Sequence, residues 1–138
     1  MMTYHFKPIV RGIFSGEVVY IQPFSFWGGV SIDNGELIQK GHPNRGLCIK
    51  NKILAVKNLI GSSSSSSVLL ELIRKNIAPK AIFLENIDAI TCMGSIIAEQ
   101  IGLDPLPIYQ GGNLKDLHRK TVKVENDKIN FAKISIND

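Results

Sequence analysis

Between positions 47 and 109 the apolar pattern changes period repeatedly, and this alternation limits the folds open to the chain more than any other feature. Residues 47–56 read as one or two strands. Val68-Leu69-Leu70-Glu71-Leu72-Ile73-Arg74-Lys75 then carries a wide apolar face at helical spacing. Asn76 and Pro79 are stop signals for that helix. Residues 81–84 (AIFL) form a short apolar run of the kind found in a buried strand. Residues 93–101 read as a second helix closed by Gly102, and Pro107-Ile108-Tyr109 as a further strand. Strand, helix, strand, helix, strand implies right-handed crossovers onto a parallel sheet.

The flanks have a different rhythm. Residues 16–21 (GEVVYI) are β-branched and aromatic, and Pro23 ends them. Gly28-Gly29 precedes a short strand at 30–32, Asp33-Asn34-Gly35 is a turn, and 36–38 resumes the extended pattern. A glycine-bounded loop, 41–46, follows. In the tail, Val122 and Val124 alternate with polar residues, Asn126-Asp127 makes a turn, and Ile129 and Phe131 return. The expectation is a layered α/β fold, one domain over residues 1–138, with antiparallel hairpins at both ends of a parallel centre.

Composition narrows the function. Of the 138 residues, 44% are hydrophobic and 20% charged, enough for a core without metal or disulfides. The net charge of +4 is spread along the chain, with no basic run interleaved with aromatics, so nucleic acid is not an expected partner. A mildly basic surface suits anionic substrates or an acidic partner subunit. No apolar run approaches the roughly twenty residues of a membrane span, and residues 1–8 lack the apolar segment of a signal peptide. The expected setting is the cytoplasm. Cys48 and Cys92 form no CxxC pair and are too few for a zinc site or a self-contained iron–sulfur cluster. They read as buried free thiols of a reducing compartment.

The least ordinary segment is Gly61 followed by six serines, Ser62 to Ser67. Glycine and serine often make linkers, but apolar elements press close on both sides and leave nothing to link. A strand-to-helix turn fits better. Gly61 permits a tight or positive-φ turn, one serine caps the helix, and the rest leave the backbone approachable. Amide groups at a helix N-terminus receive carboxylate or phosphate. The run lacks the lysine of a P-loop and the spacing of a hydrolase elbow. His5, His42 and His118 show no partnership with a serine. On spacing alone, anion binding is reasonable and catalysis stays open.

Several segments taken in order carry a resemblance. They are Phe24-Ser25-Phe26-Trp27-Gly28-Gly29, Asp33-Asn34-Gly35, His42-Pro43, Gly61-Ser62, Ala78-Pro79-Lys80-Ala81-Ile82, and residues 94–99. The set, over roughly 11–109, resembles the aconitase X small subunit or swivel domain, a family with phosphomevalonate dehydratase small subunits and cis-3-hydroxy-L-proline dehydratases. The resemblance implies a swivelling β/β/α domain, as in the small C-terminal domain of aconitases. It implies a hydro-lyase that dehydrates a small hydroxy acid only in company with a large subunit. That large subunit would carry the iron or iron–sulfur centre, with no cofactor on this chain. Ser62 is then the base that takes a proton beside a carboxylate, and Gly61, Ser63 and Ser64 meet the substrate.

Two positions depart from the family pattern. Ile60 stands where relatives often have arginine. Ser63 and Ser64 fill the place of the arginine with which aconitases grip substrate. A cation must then come from the large subunit, or from Arg45 or Lys57. The GSSSSSSVLLELI and IAPKAIF stretches look closer to the bacterial hydroxyproline branch than to phosphomevalonate enzymes. Trp27 and Phe26 are expected in a core or subunit interface, Gly28-Gly29 in a turn, and His42 closing its loop. The competing function is a non-catalytic anion-binding or regulatory module built on the same helix N-terminus.

Overall fold

A computed structural model describes residues 2–126 and 132–137. Seven described strands close into a barrel in the order β1-β5-β4-β3-β2-β6-β7. They are β1 (Met2–Val10), β2 (Phe14–Ile21), β3 (Ile53–Val56), β4 (Ala81–Leu84), β5 (Ile108–Gln110), β6 (Thr121–Asn126) and β7 (Ala132–Asn137). β2, β3, β4 and β5 are parallel neighbours. The remaining pairs, β1–β5, β1–β7, β2–β6 and β6–β7, are antiparallel. Helices α2 (Ser65–Arg74) and α3 (Ala89–Gln100) pack on each other and on the parallel strands. A single turn, α1 (Phe26–Gly29), is kinked by non-helical torsions at Trp27 and Gly28.

Strand alternation divides the apolar side chains between two cores. Ile53 and Ala55 of β3 and Ala81 and Phe83 of β4 point into the barrel. There they meet Phe6, Phe14, Tyr109, Val122, Val124 and Ile134. Leu54, Val56, Ile82 and Leu84 point outward and meet Leu69, Leu72, Ile73 and Ala98 of the helices. Burial on both faces explains why these strands read as unbroken apolar runs rather than alternating ones. Each fully buried large side chain contributes about 1.5–3 kcal/mol. Phe83 anchors the barrel, with the Phe6 ring edge-on at 5.3 Å.

The parallel centre and both helices lie where the sequence places them, but several boundaries move. α2 begins three residues before the apolar pattern, so Ser65, Ser66 and Ser67 are helical. α3 begins at Ala89 rather than 93. The expected strands at 30–32 and 36–38 shrink to isolated bridges, Val30 to Leu37 and Glu36 to Cys48. The N-terminal hairpin is kept in this shortened form, with Ser31 N–H donating to the Glu36 carbonyl at 2.9 Å and Ile38 N–H to the Gly29 carbonyl at 2.8 Å. β1 lies between β5 and β7. The C-terminal hairpin is present as β6 and β7. Of its expected turn and return, Asp127, Ile129 and Phe131 lie outside the described residues.

Candidate active site

Three neighbouring parallel strands deliver their following segments to one edge. After β2 comes Ser25, after β3 the serine run, after β4 Asp88. Segments beyond the carboxyl ends of parallel strands are the usual ligand site in α/β folds, in open sheets and in (β/α)8 barrels alike. Backbone bonds tie the segments together. Ile60 N–H donates to the Phe24 carbonyl at 2.9 Å, and Glu85 and Asn86 both donate to the Lys57 carbonyl.

Ser62 is half-buried and stands just outside α2. Its carbonyl accepts the Ser65 N–H at 3.1 Å. Its hydroxyl lies 3.1 Å from the Ser65 hydroxyl, which lies 3.5 Å from that of Ser25. Ser65 itself is fully buried. Ser25 is positioned through its backbone, which donates to Gln39 Oε1 at 3.0 Å. Ser63 and Ser64 form the turn into the helix, and Ser64 occupies the cap position without a capping bond from its hydroxyl. The cap hydroxyl therefore satisfies no first-turn amide of α2, and the Ser65 N–H is taken by the Ser62 carbonyl instead. The linker reading fails: no residue of the run joins separate units.

Of the tight or positive-φ turn expected at Gly61, the positive φ is not found. Its backbone is outside the left-handed region. A Cβ there would stand 2.9 Å and 3.0 Å from the carboxylate oxygens of Asp88. That carboxylate caps α3, accepting from Ile90 N–H at 3.2 Å and from the Thr91 hydroxyl. Glycine is thus set by close approach to a capping group. Asp88 was missed at the sequence level, though an aspartate directly before a helical pattern is a readable start signal.

The other expected residues divide. Phe26 is core, whereas Trp27 is 59% exposed. Trp27 lines a groove of about 300 Å3 with Ile32, Ser64, Ser67, Val68 and Glu71. Gly28, at φ 75°, makes a turn as expected. His42 is buried and closes its loop: Nδ1 accepts from Asn44 N–H at 2.9 Å, and Nε2 lies 2.8 Å from the Gln22 carbonyl. Arg45 and Lys57 are exposed, and no described hydrogen bond or ion pair joins either side chain to the serine run. Cys92 is buried as expected, but Cys48 is exposed in a loop, a correction to its reading as a core thiol. Among the described residues no group of three or more His, Cys, Asp or Glu side chains could hold a metal ion. No described helix is long and apolar enough to cross a membrane.

A mixed barrel flanked by two helices, with a hydroxyl cluster at the carboxyl edge of its parallel strands, defines a swivel-type α/β module. The aconitase X swivel domain matches residues 3–131, and the chain belongs to that family. The fold agrees with the crystal structure of Thermococcus kodakaraensis aconitase X (holo-form) at a TM-score of 0.82 and 30% identity. That match covers 98% of this chain and 99% of the other. The cis-3-hydroxy-L-proline dehydratase of Pseudomonas aeruginosa PAO1 is 42% identical over 103 residues, 74% of this chain but 18% of that protein. This chain therefore spans less than a fifth of that relative. The phosphomevalonate dehydratase small subunit of Methanothermobacter thermautotrophicus is 33% identical over 126 residues, 91% of this chain and 96% of that one. The relatives are thus dehydratases, or small subunits of dehydratases, as the sequence resemblance implied.

Proposed function

We propose that this chain is the small subunit of a two-subunit hydro-lyase, and that Ser62 is the base at the subunit interface. The observation that carries the reading is the position of Ser62. It stands at the strand edge, directly ahead of the α2 N-terminus, with its hydroxyl held by a buried neighbour. A serine hydroxyl is a weak acid, so its charged form needs hydrogen-bond donors in a sheltered site. Ser62 Oγ takes the proton from the carbon beside the substrate carboxylate. The electrons of that C–H bond form the double bond as the hydroxyl on the adjacent carbon leaves. Proton and hydroxide together make the water released, and the organic product is an α,β-unsaturated acid. Gly61, Ser63 and Ser64 receive the carboxylate with backbone amides and hydroxyls.

The larger partner carries the iron or iron–sulfur centre, and the substrate-gripping cation comes from that partner or from Arg45 or Lys57; among the described residues no group of three or more His, Cys, Asp or Glu side chains could hold a metal ion. Exposed apolar residues give that partner a surface to cover. Trp27, Ile32 and Ile60 lie near the run, and Ile90, Met93, Ile97 and Ile101 recur along α3. The substrate is a small hydroxy acid of the cis-3-hydroxy-L-proline type, supported by the 42% identity to a dehydratase of that compound. Mevalonate 5-phosphate is the competing substrate.

Co-purification tests the reading. This chain should form a stable complex with a larger iron-containing chain, and only the complex should dehydrate cis-3-hydroxy-L-proline when both compounds are offered. An isolated chain that retains iron and turns over substrate contradicts the two-subunit account. A lone anion-binding monomer that recruits no partner would instead identify the regulatory module.

A further inference from the structure

Ser65 is the one residue of the serine run that is fully buried. A hydroxyl removed from water costs free energy unless it is hydrogen-bonded, and the partners of this one are two other hydroxyls. Ser62 Oγ lies at 3.1 Å and Ser25 Oγ at 3.5 Å. The three come from different places in the chain: the loop after β2, the turn after β3, and the first position of α2. A serine serving only the helix would bond a nearby backbone group; this one points across the turn to Ser62.

We propose that Ser65 is a positioning residue for Ser62, holding its oxygen in place and donating to it when that oxygen carries charge. The inference rests on the reading of Ser62 as base. Each hydroxyl has one proton to give. With Ser62 deprotonated, the Ser65 proton turns toward Ser62 Oγ, and the Ser25 proton can turn toward Ser65. A hydrogen bond to a charged oxygen is roughly twice as strong as one between neutral groups, so the link favours the charged form of Ser62. The Ser25 contact is at the long limit for O–H to O, so Ser65 carries most of the effect.

The test uses the complete two-subunit enzyme with the variants Ser65→Ala, Ser65→Thr and Ser66→Ala. Ser65→Ala should lower kcat by about tenfold to a hundredfold with KM nearly unchanged, the scale of one lost hydrogen bond to a charged group. The rising limb of its pH–rate profile should also move to higher pH, because the charged base is less favoured. Ser65→Thr keeps the hydroxyl and should recover part of the rate and the original limb. Ser66→Ala should behave as wild type. Wild-type kcat in Ser65→Ala overturns the inference, as does a loss of rate with an unshifted limb, which a merely structural role would give. If Ser62→Ala is inactive while Ser65→Ala is normal, only the positioning claim falls. If Ser62→Ala is active, the proposed base falls first.

Discussion

Asp88 performs two tasks at one point in space. It caps α3 through Ile90 N–H and the Thr91 hydroxyl, and its carboxylate leaves no space for a side chain at residue 61. One turn further into α3, burial pushes the Cys92 thiol up to about 11, and the Asp88 charge adds to the effect. The folded state thus favours the protonated thiol, while an unfolded chain loses that proton near its ordinary value of 9.0. The associated stability is present below about pH 9 and is lost as pH rises to about 11. Denaturation at several pH values should show that decline, and Cys92→Ala should flatten this part of the curve. At neutral pH a thiol reagent should modify exposed Cys48 rapidly and Cys92 only on unfolding. Equal labelling of both in the native protein would contradict the burial described. Cysteine spacing separated neither fate, because exposure depends on whether the residue falls in a loop or on the inner face of a helix.

Helices α2 and α3 meet through Gly94. A Cβ there would stand 2.6 Å from the Ser66 carbonyl oxygen and 3.3 Å from Leu69 Cβ. Gly94→Ala gains helix propensity of about 1 kcal/mol but wedges apart a contact made by backbone, which cannot swing aside. Overpacking of this kind costs on the order of 1–3 kcal/mol. The variant should melt below wild type, and the complex should lose activity because the first turn of α2 moves with Ser66. A variant as stable as wild type would show that the helices slide without cost. Element types in this centre were legible because their apolar faces repeat; the starts were not. Ser65 to Ser67 are poor helix formers, and their helicity depends on tertiary packing at Gly94 and around buried Ser65. Ala89 to Cys92 lacked a long apolar stripe, so only the Asp88 cap could have marked where α3 begins.

Closure of the barrel was the least legible feature at the scale of the molecule. β1 pairs with β7 through Met2 to Phe6 and with β5 through Lys7 to Val10. Pro8 lies in this strand, and proline ordinarily argues against a strand interior. It is tolerated where β1 changes partner, next to a register irregularity between Pro8 and Val10. Pairing between the two ends of a chain leaves no local pattern, so closure was hidden although β6 and the parallel strands were readable. The candidate site was legible at Gly61 and Ser62, where a glycine-led run interrupts apolar elements. The contributions of Ser25, Ser65 and Asp88 depend on strands brought side by side, which no spacing in the sequence encodes. The hydroxyls stand at an edge flanked by exposed Trp27, Ile60 and Ile90, which suits the proposed two-subunit site. The most direct measurement is exchange of the substrate α-proton with heavy water, alongside steady-state turnover, in the Ser62→Ala complex. Turnover and exchange should both fall by on the order of a hundredfold to ten-thousandfold, with substrate binding nearly intact, because a base acts on the transition state. Near-normal turnover and exchange would contradict the account and move the base to the partner chain.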